Sequence, residues 1–202
     1  MIESIKIITR DRSLKIAQHA FDFAVKEGRK KITCVHKANI MKLSDGEFLS
    51  AARETSLRYP SIKFEEMIVD ATCMNLTLKP QTFDVMLLPN LYGSIMGSVV
   101  AGIVGGPGIA VGVNVGAHHM MFEQGARHPA KDLVASNSGN PVAFILSSAL
   151  MLKSIGLATY SKAIENAVHQ VISEGKVRTP DIGGRNTMSE VTNEILSKVR
   201  YA

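Results

Sequence analysis

The sequence predicts an α/β fold, and three observations carry the prediction. Short apolar or alternating runs at residues 31–36, 62–69 and 83–88 read as strands. The longer segments between them repeat apolar residues at helical spacing, so strand and helix alternate along the chain. Apolar residues make up 46% of 202 positions, enough to bury a real core in one or two domains.

The elements follow in order. Residues 4–9 alternate weakly and predict a strand. Residues 12–27 carry Leu14, Ile16, Ala17, Ala20, Phe21, Ala24 and Val25, close to a helical stripe, and Gly28 stops it. Residues 31–36 form a short apolar strand. Ser44-Asp45-Gly46 reads as a turn and helix entry, and the helix over 47–59 closes at Pro60. A strand over 62–69 leads into a helix over 70–78. A buried strand over 83–88 leads into a small-residue helix over 92–104. The run Gly105-Gly106-Pro107-Gly108 follows a helix, whereas a dinucleotide fingerprint follows a strand, so it reads as a flexible reversal between domains. Short strands are predicted near 109–113 and 120–123. The loop over 125–139 is long for a compact domain, and such loops tend to be functional. Asn140-Pro141 opens an apolar helix that runs to residue 155, with proline well placed in its first turn, and Gly156 ends it. Helices over 160–173, stopped by Gly175, and 189–199 complete the chain. The predicted organisation is a small α/β domain over 1–104, followed by part of a larger one over 105–202.

Composition excludes some functions. The net charge is only +5, lysines and arginines are scattered, and no aromatic platform lies among them, so no nucleic-acid role is expected. The apolar stretch over 94–116 is broken by glycines and a proline, and no run predicts a membrane span. Cys34 and Cys73 lack metal-type spacing and predict two reduced core thiols. His118 and His119 are adjacent; on a strand they would face opposite ways, which argues against a shared metal. Residues 2–10 have the character of neither a signal nor a transit peptide.

Several segments match one family in order, spacing and identity. They are residues 35–42 (Val-His-Lys-Ala-Asn-Ile-Met-Lys), Ile68-Val69-Asp70, Asp84-Val85, and Pro89-Asn90-Leu91-Tyr92-Gly93. Later come Gly105-Gly106-Pro107-Gly108, Phe122-Glu123, Asn140-Pro141 and residues 179–184 (Thr-Pro-Asp-Ile-Gly-Gly). Together they resemble the β-decarboxylating dehydrogenases, the isocitrate and isopropylmalate dehydrogenase family. Residues 125–129 (Gly-Ala-Arg-His-Pro) and 174–179 (Glu-Gly-Lys-Val-Arg-Thr) resemble its branch of noncatalytic, regulatory (beta/gamma-type) subunits of NAD-dependent isocitrate dehydrogenase.

The resemblance implies a fold, a chemistry and a set of residues. The fold would be that family's small domain plus the C-terminal part of its large, nucleotide-binding domain, truncated at the N-terminus. The family's opening portion, with substrate-gripping serine and arginines and a catalytic tyrosine, would lie outside this sequence. The family oxidises a secondary alcohol by hydride transfer to NAD, with magnesium or manganese polarising the oxygens, and then loses carbon dioxide. Lys37 would move a proton and Asp70 would ligate the metal, both in trans, inside a neighbouring subunit's site. By itself Lys37 also reads as a solvated lysine after a strand, and Asp70 as a helix N-cap. Catalytic members carry aspartates where this chain has Ser94 and Ser98, so its own metal site is expected to be defective, because hard cations prefer carboxylates. Where the family has a His-Gly-Thr-Ala-Pro run along the adenosine of NAD, this chain reads Ala126-Arg127-His128-Pro129-Ala130. Arg127, His128 and Asn140 are therefore the nucleotide-binding candidates. Arg127 and His128 read equally as an exposed polar loop, and Asn140 also as a cap.

The expectation is a regulatory-type subunit in the mitochondrial matrix, inactive alone, partnered by a catalytic subunit and open to an adenine-nucleotide effector. The alternatives are a truncated paralogue that only binds a partner, or a catalytic dehydrogenase of the same family. Partners other than protein and small molecule, namely nucleic acid and membrane, are not expected.

Overall fold

The computed structural model describes residues 1–125, 130–133 and 135–200. Its elements are α1 (Arg10–Lys26), β1 (Lys31–His36), α2 (Ser44–Ser56), β2 (Lys63–Ile68), α3 (Val69–Leu78), β3 (Val85–Leu87) and α4 (Asn90–Val104). There follow β4 (Val111–Val115), β5 (Met120–Gln124), α5 (Val142–Ser154), α6 (Ala158–Glu174) and α7 (Met188–Lys198). The chain divides into two compact units, Met1–Met96 and Gly97–Ala202, and the division falls inside α4. Among the described residues no helix is long and apolar enough to cross a membrane.

The first unit is built on a three-stranded parallel sheet in the order β2-β1-β3. The central strand β1 is buried from Ile32 to His36, which is why it reads as a continuous apolar run rather than an alternating one. Ile32 and Cys34 point to the side covered by α1 and α2. There they meet Ala17, Phe21 and Ala24 from α1 and Phe48, Leu49 and Ala52 from α2. Phe21 is the anchor of this core; its ring stacks on Tyr59 at 5.0 Å and tilts against Phe64 at 6.1 Å. α1 ends where Gly28 takes φ +66°, a conformation that costs glycine nothing, and the Arg29 N–H closes back on the Ala24 carbonyl at 2.7 Å.

Residues 4–9 depart from expectation: they form no strand and belong to no sheet. A strand needs a neighbour to take its N–H and C=O groups. Among the described residues none pairs with this segment, and Ile5 and Ile7 lie 85% and 78% exposed. Side chains hold it in place instead, Lys6 by ion-pairing with Asp45 and by lying 4.9 Å over the Tyr92 ring. Cys73 is a second departure. Cys34 is buried as expected, but Cys73 sits on the exposed face of α3; both thiols are free.

In the second unit the antiparallel hairpin β4–β5 pairs Val111 with Gln124, Val113 with Phe122 and Val115 with Met120. His118 and His119 lie in its turn rather than on a strand, with the Gly116 N–H donating to the His119 carbonyl at 2.9 Å. Val142, Ala167, Val168, Val171, Val191 and Ile195 form the core shared by α5, α6 and α7. Gly156 and Gly175 stop α5 and α6 at φ +89° and +63°. A capping box of Thr187 and Glu190 starts α7.

Candidate functional site

Lys37 follows the last residue of β1, and Asp70 lies in the first turn of α3. Parallel pairing of β1 with β2 sets His36 beside Ile68, so the two strands release their chains side by side. The Lys37 Nζ therefore reaches the Asp70 Oδ1 at 2.8 Å across 33 residues of sequence. The pair stands at the surface, with side chains 26% and 68% exposed. The Lys37 ammonium holds the Asp70 carboxyl below the usual carboxylate range, helped by nearby backbone N–H groups of its own helix. The cap position of α3 is Ile68, so Asp70 acts inside the first turn, at the positive end of the helix, rather than as the N-cap.

The turn that carries Lys37 is fixed at both ends of its peptide. Its N–H donates to the buried Asp45 Oδ2 at 2.8 Å, and its carbonyl accepts from Ile40 and Met41 at 3.0 and 2.8 Å. The next residue, Ala38, donates its N–H to the His36 Nδ1 at 3.1 Å. Burial pushes the Asp45 carboxyl up, yet the Lys6 ammonium, the Lys37 N–H and the Tyr92 hydroxyl together outweigh it and hold the group below its ordinary value. Burial is also the main reason the Tyr92 phenol is pushed up, with Asp45 adding to it.

Ser94 and Ser98 lie one turn apart on α4, which puts both hydroxyls on one exposed stripe. Among the described residues no group of three His, Cys, Asp or Glu converges in a way that could hold a metal ion. The Cys34 thiol, pushed up to about 12 by burial, is a packing group rather than a nucleophile.

Asn140 belongs to a separate cluster in the second unit. Its Oδ1 accepts from the N–H of Val142, the first residue of α5, at 3.0 Å, and its Nδ2 donates to the Asp181 Oδ2 at 3.0 Å. Gly108 approaches so closely that a Cβ there would lie 2.6 Å from both Asn140 and Asp181. Three motifs spread over the sequence, the glycine run, Asn140-Pro141 and Thr179-Pro180-Asp181, thus meet at one point. Arg127 and His128, the other nucleotide candidates, lie outside the described residues.

Sequence reasoning singled out Lys37, Asp70 and Asn140 but missed Asp45, Lys6, His36 and Asp181. Asp45 stood in a Ser-Asp-Gly turn at a helix entry, where an aspartate ordinarily serves its own helix. Nothing local signalled that it reaches back eight residues.

A family model described as isocitrate/isopropylmalate dehydrogenase matches residues 2–199. Among curated relatives, the mitochondrial NAD isocitrate dehydrogenase regulatory subunit 1 of Arabidopsis thaliana is 50% identical over 98% of this chain and 55% of its own length. The mitochondrial NAD isocitrate dehydrogenase subunit gamma of Homo sapiens is 48% identical over 99% of this chain and 51% of its own. The crystal structure of isocitrate dehydrogenase from Methylococcus capsulatus superposes with a TM-score of 0.94 at 40% identity, covering 98% of this chain and 59% of that one. The chain spans about half the length of the curated relatives it matches. With the parallel sheet, the Lys37 turn and the Gly108–Asn140–Asp181 junction in place, these matches along nearly its whole length make the chain a member of the isocitrate/isopropylmalate dehydrogenase family.

Proposed function

We propose that the chain serves as a regulatory-type subunit of a mitochondrial NAD-dependent isocitrate dehydrogenase, and that it gives Lys37 and Asp70 in trans to a catalytic partner. The observation that carries this reading is the Lys37–Asp70 pair itself, a lysine and a carboxylate 2.8 Å apart and open to solvent. The names of the relatives support the complex and its compartment. The complex would oxidise isocitrate and release 2-oxoglutarate and carbon dioxide. NAD and a magnesium or manganese ion, when bound, accept the hydride and polarise the substrate oxygens. Lys37 then exchanges a proton with the substrate hydroxyl, and Asp70 offers one hard oxygen ligand. Ser94 and Ser98 add only hydroxyls on the exposed stripe of α4, so the residues described do not fit a complete cation site of this chain's own.

In this reading residues 1–104 are the small domain with the assembly helices, and 105–202 part of the nucleotide-binding domain. Leu91, Ile95 and Ile103 of α4 are 61%, 49% and 50% exposed, and Met74 and Leu78 of α3 are 57% and 66% exposed. Apolar area of that extent suits subunit pairing. Asn140 retains one donor and one acceptor site beyond its internal bonds, which with Arg127 and His128 would make a residual adenine-nucleotide pocket.

The test is co-assembly with the catalytic subunit. Lys37→Met should spare assembly and cut turnover by roughly a hundredfold, the scale of a lost acid–base group. Full turnover with Lys37→Met would leave the chain as a scaffold. Magnesium-dependent NADH production by the chain alone would make it a catalytic dehydrogenase instead.

A further inference from the structure

We infer that Asp45 is the positioning residue for Lys37, its buried carboxylate locking the Lys37 turn to the N-terminal segment and to the start of α4. The inference rests on the reading that Lys37 acts on substrate, and it deepens that reading by naming what aims the lysine.

An aspartate in the first turn of a helix ordinarily serves its own N-terminus. Asp45 does not: the cap position of α2 is Leu43, and it makes no side-chain cap bond. The carboxylate points back instead. Its Oδ2 accepts from the Lys37 N–H at 2.8 Å, and its Oδ1 pairs with Lys6. The Tyr92 hydroxyl stands near the carboxylate and helps to hold its charge, and it donates to the Met41 Sδ at 3.7 Å. The backbone closes the ring. The Met41 N–H donates to the Lys37 carbonyl at 2.8 Å, and the Asp45 N–H donates to the Met41 carbonyl at 3.0 Å. Both polar groups of the Lys37 peptide are thereby held, and the side chain leaves the ring toward Asp70.

A charged carboxylate with no exposure is costly unless paired and fully hydrogen-bonded. A plain turn would be served by an asparagine or a serine without that cost. The buried charge brings something those residues do not, since it draws Lys6 out of an otherwise unpaired segment and holds Tyr92 at the base of α4. Three separate parts of the unit are fixed to the peptide that carries the lysine.

Pulse acetylation of the full chain, read at Lys37 by mass spectrometry, tests the aim of the side chain without any need for turnover. Lys162, 70% exposed on α6, is the internal control. Lys6→Met and Tyr92→Phe keep side-chain volume, and Asp45→Asn keeps an acceptor for the Lys37 N–H. Asp45→Ala and Lys6→Met should each speed labelling of Lys37 about twofold or more by loosening the turn, with Asp45→Asn closer to wild type than Asp45→Ala. In the complex with the catalytic subunit, Asp45→Ala should lower kcat roughly tenfold or more and leave the KM for isocitrate within about twofold, the signature of a misplaced group rather than lost binding. Wild-type labelling of Lys37 in Asp45→Ala and Lys6→Met alike overturns the inference. So does a loss of turnover that follows loss of assembly instead of the labelling rate. A silent Lys37→Met sinks the proposed function, whereas a damaging Lys37→Met beside a silent Asp45→Ala sinks only the positioning role.

Discussion

Two side chains of β1 show how burial sets chemistry at the residue scale. His36 is 8% exposed, and its Nδ1 accepts the Ala38 N–H beside the Lys37 turn. Burial holds its imidazole below the ordinary value; Glu66 of β2 and Asp45 of α2 oppose that, and Arg53 of α2 adds to it. The unfolded chain takes up this proton first as pH falls below about 6.5, so stability present above that pH declines until the folded form also titrates. The melting temperature should therefore drop as pH falls below about 6.5. His36→Asn keeps an acceptor near the same place and should flatten that slope; equal slopes for the two proteins reject the assignment. Thr33 lies on the opposite face of β1 with its hydroxyl buried and without a partner among the described residues. Thr33→Val removes the orphan hydroxyl at constant shape and should raise stability by about 1 kcal/mol, seen as a higher denaturant midpoint.

At the scale of elements, helix α4 begins in the first compact unit and ends in the second. The small residues Gly93, Ser94, Gly97, Ser98, Ala101 and Gly102 recur at three- and four-residue spacing. The structure separates them by role. Ala101 is only 4% exposed and packs within the chain, so enlarging it would disturb the fold before it disturbed any partner. Gly97 and Gly102 face open space, with nothing within 4 Å of an added Cβ. Gly97→Leu should therefore raise the melting temperature of the chain by a few degrees, since leucine favours a helix over glycine by about 1 kcal/mol and meets nothing at this site. It should also block co-assembly with a catalytic subunit if α4 pairs closely with a partner helix. Sedimentation of the mixed proteins decides it: a complex that forms as well as with wild type places the interface elsewhere.

At the scale of the molecule, much apolar surface is open. Ile2, Ile5 and Ile7 of the first unit are 99%, 85% and 78% exposed, and Phe144 and Ile155 of the second are 70% and 64% exposed. Helix α5 is apolar around most of its circumference, and its covered side is already used by the core of Val142, Ala167, Val168 and Val191. Isolated residues of this kind are ordinary, but continuous stretches promote association. The isolated chain should bind a dye specific for exposed apolar surface and should self-associate, and addition of a catalytic subunit should suppress both. A monodisperse monomer with a cooperative melt and no dye binding contradicts this.

Residues 4–9 apart, the sequence by itself determined the order and kind of the helices and strands. Period and punctuation are local properties, so β1 was legible residue for residue. The ends of α1, α5 and α6 were announced by Gly28, Gly156 and Gly175, whose positive φ is a requirement of the backbone itself. The family motifs likewise singled out Lys37 and Asp70 one by one. Only the tertiary structure decided what those residues touch. The contact of Lys37 with Asp70 depends on the parallel register of β1 with β2, and the grip of Asp45 on Lys37 depends on a side chain reaching back against its own helix. Residues 4–9 alternate like a strand, yet a ladder needs a neighbour that periodicity cannot supply. Cys73 sits among apolar residues in sequence but on the outer face of α3, because the side of a helix that is buried is chosen by what packs against it.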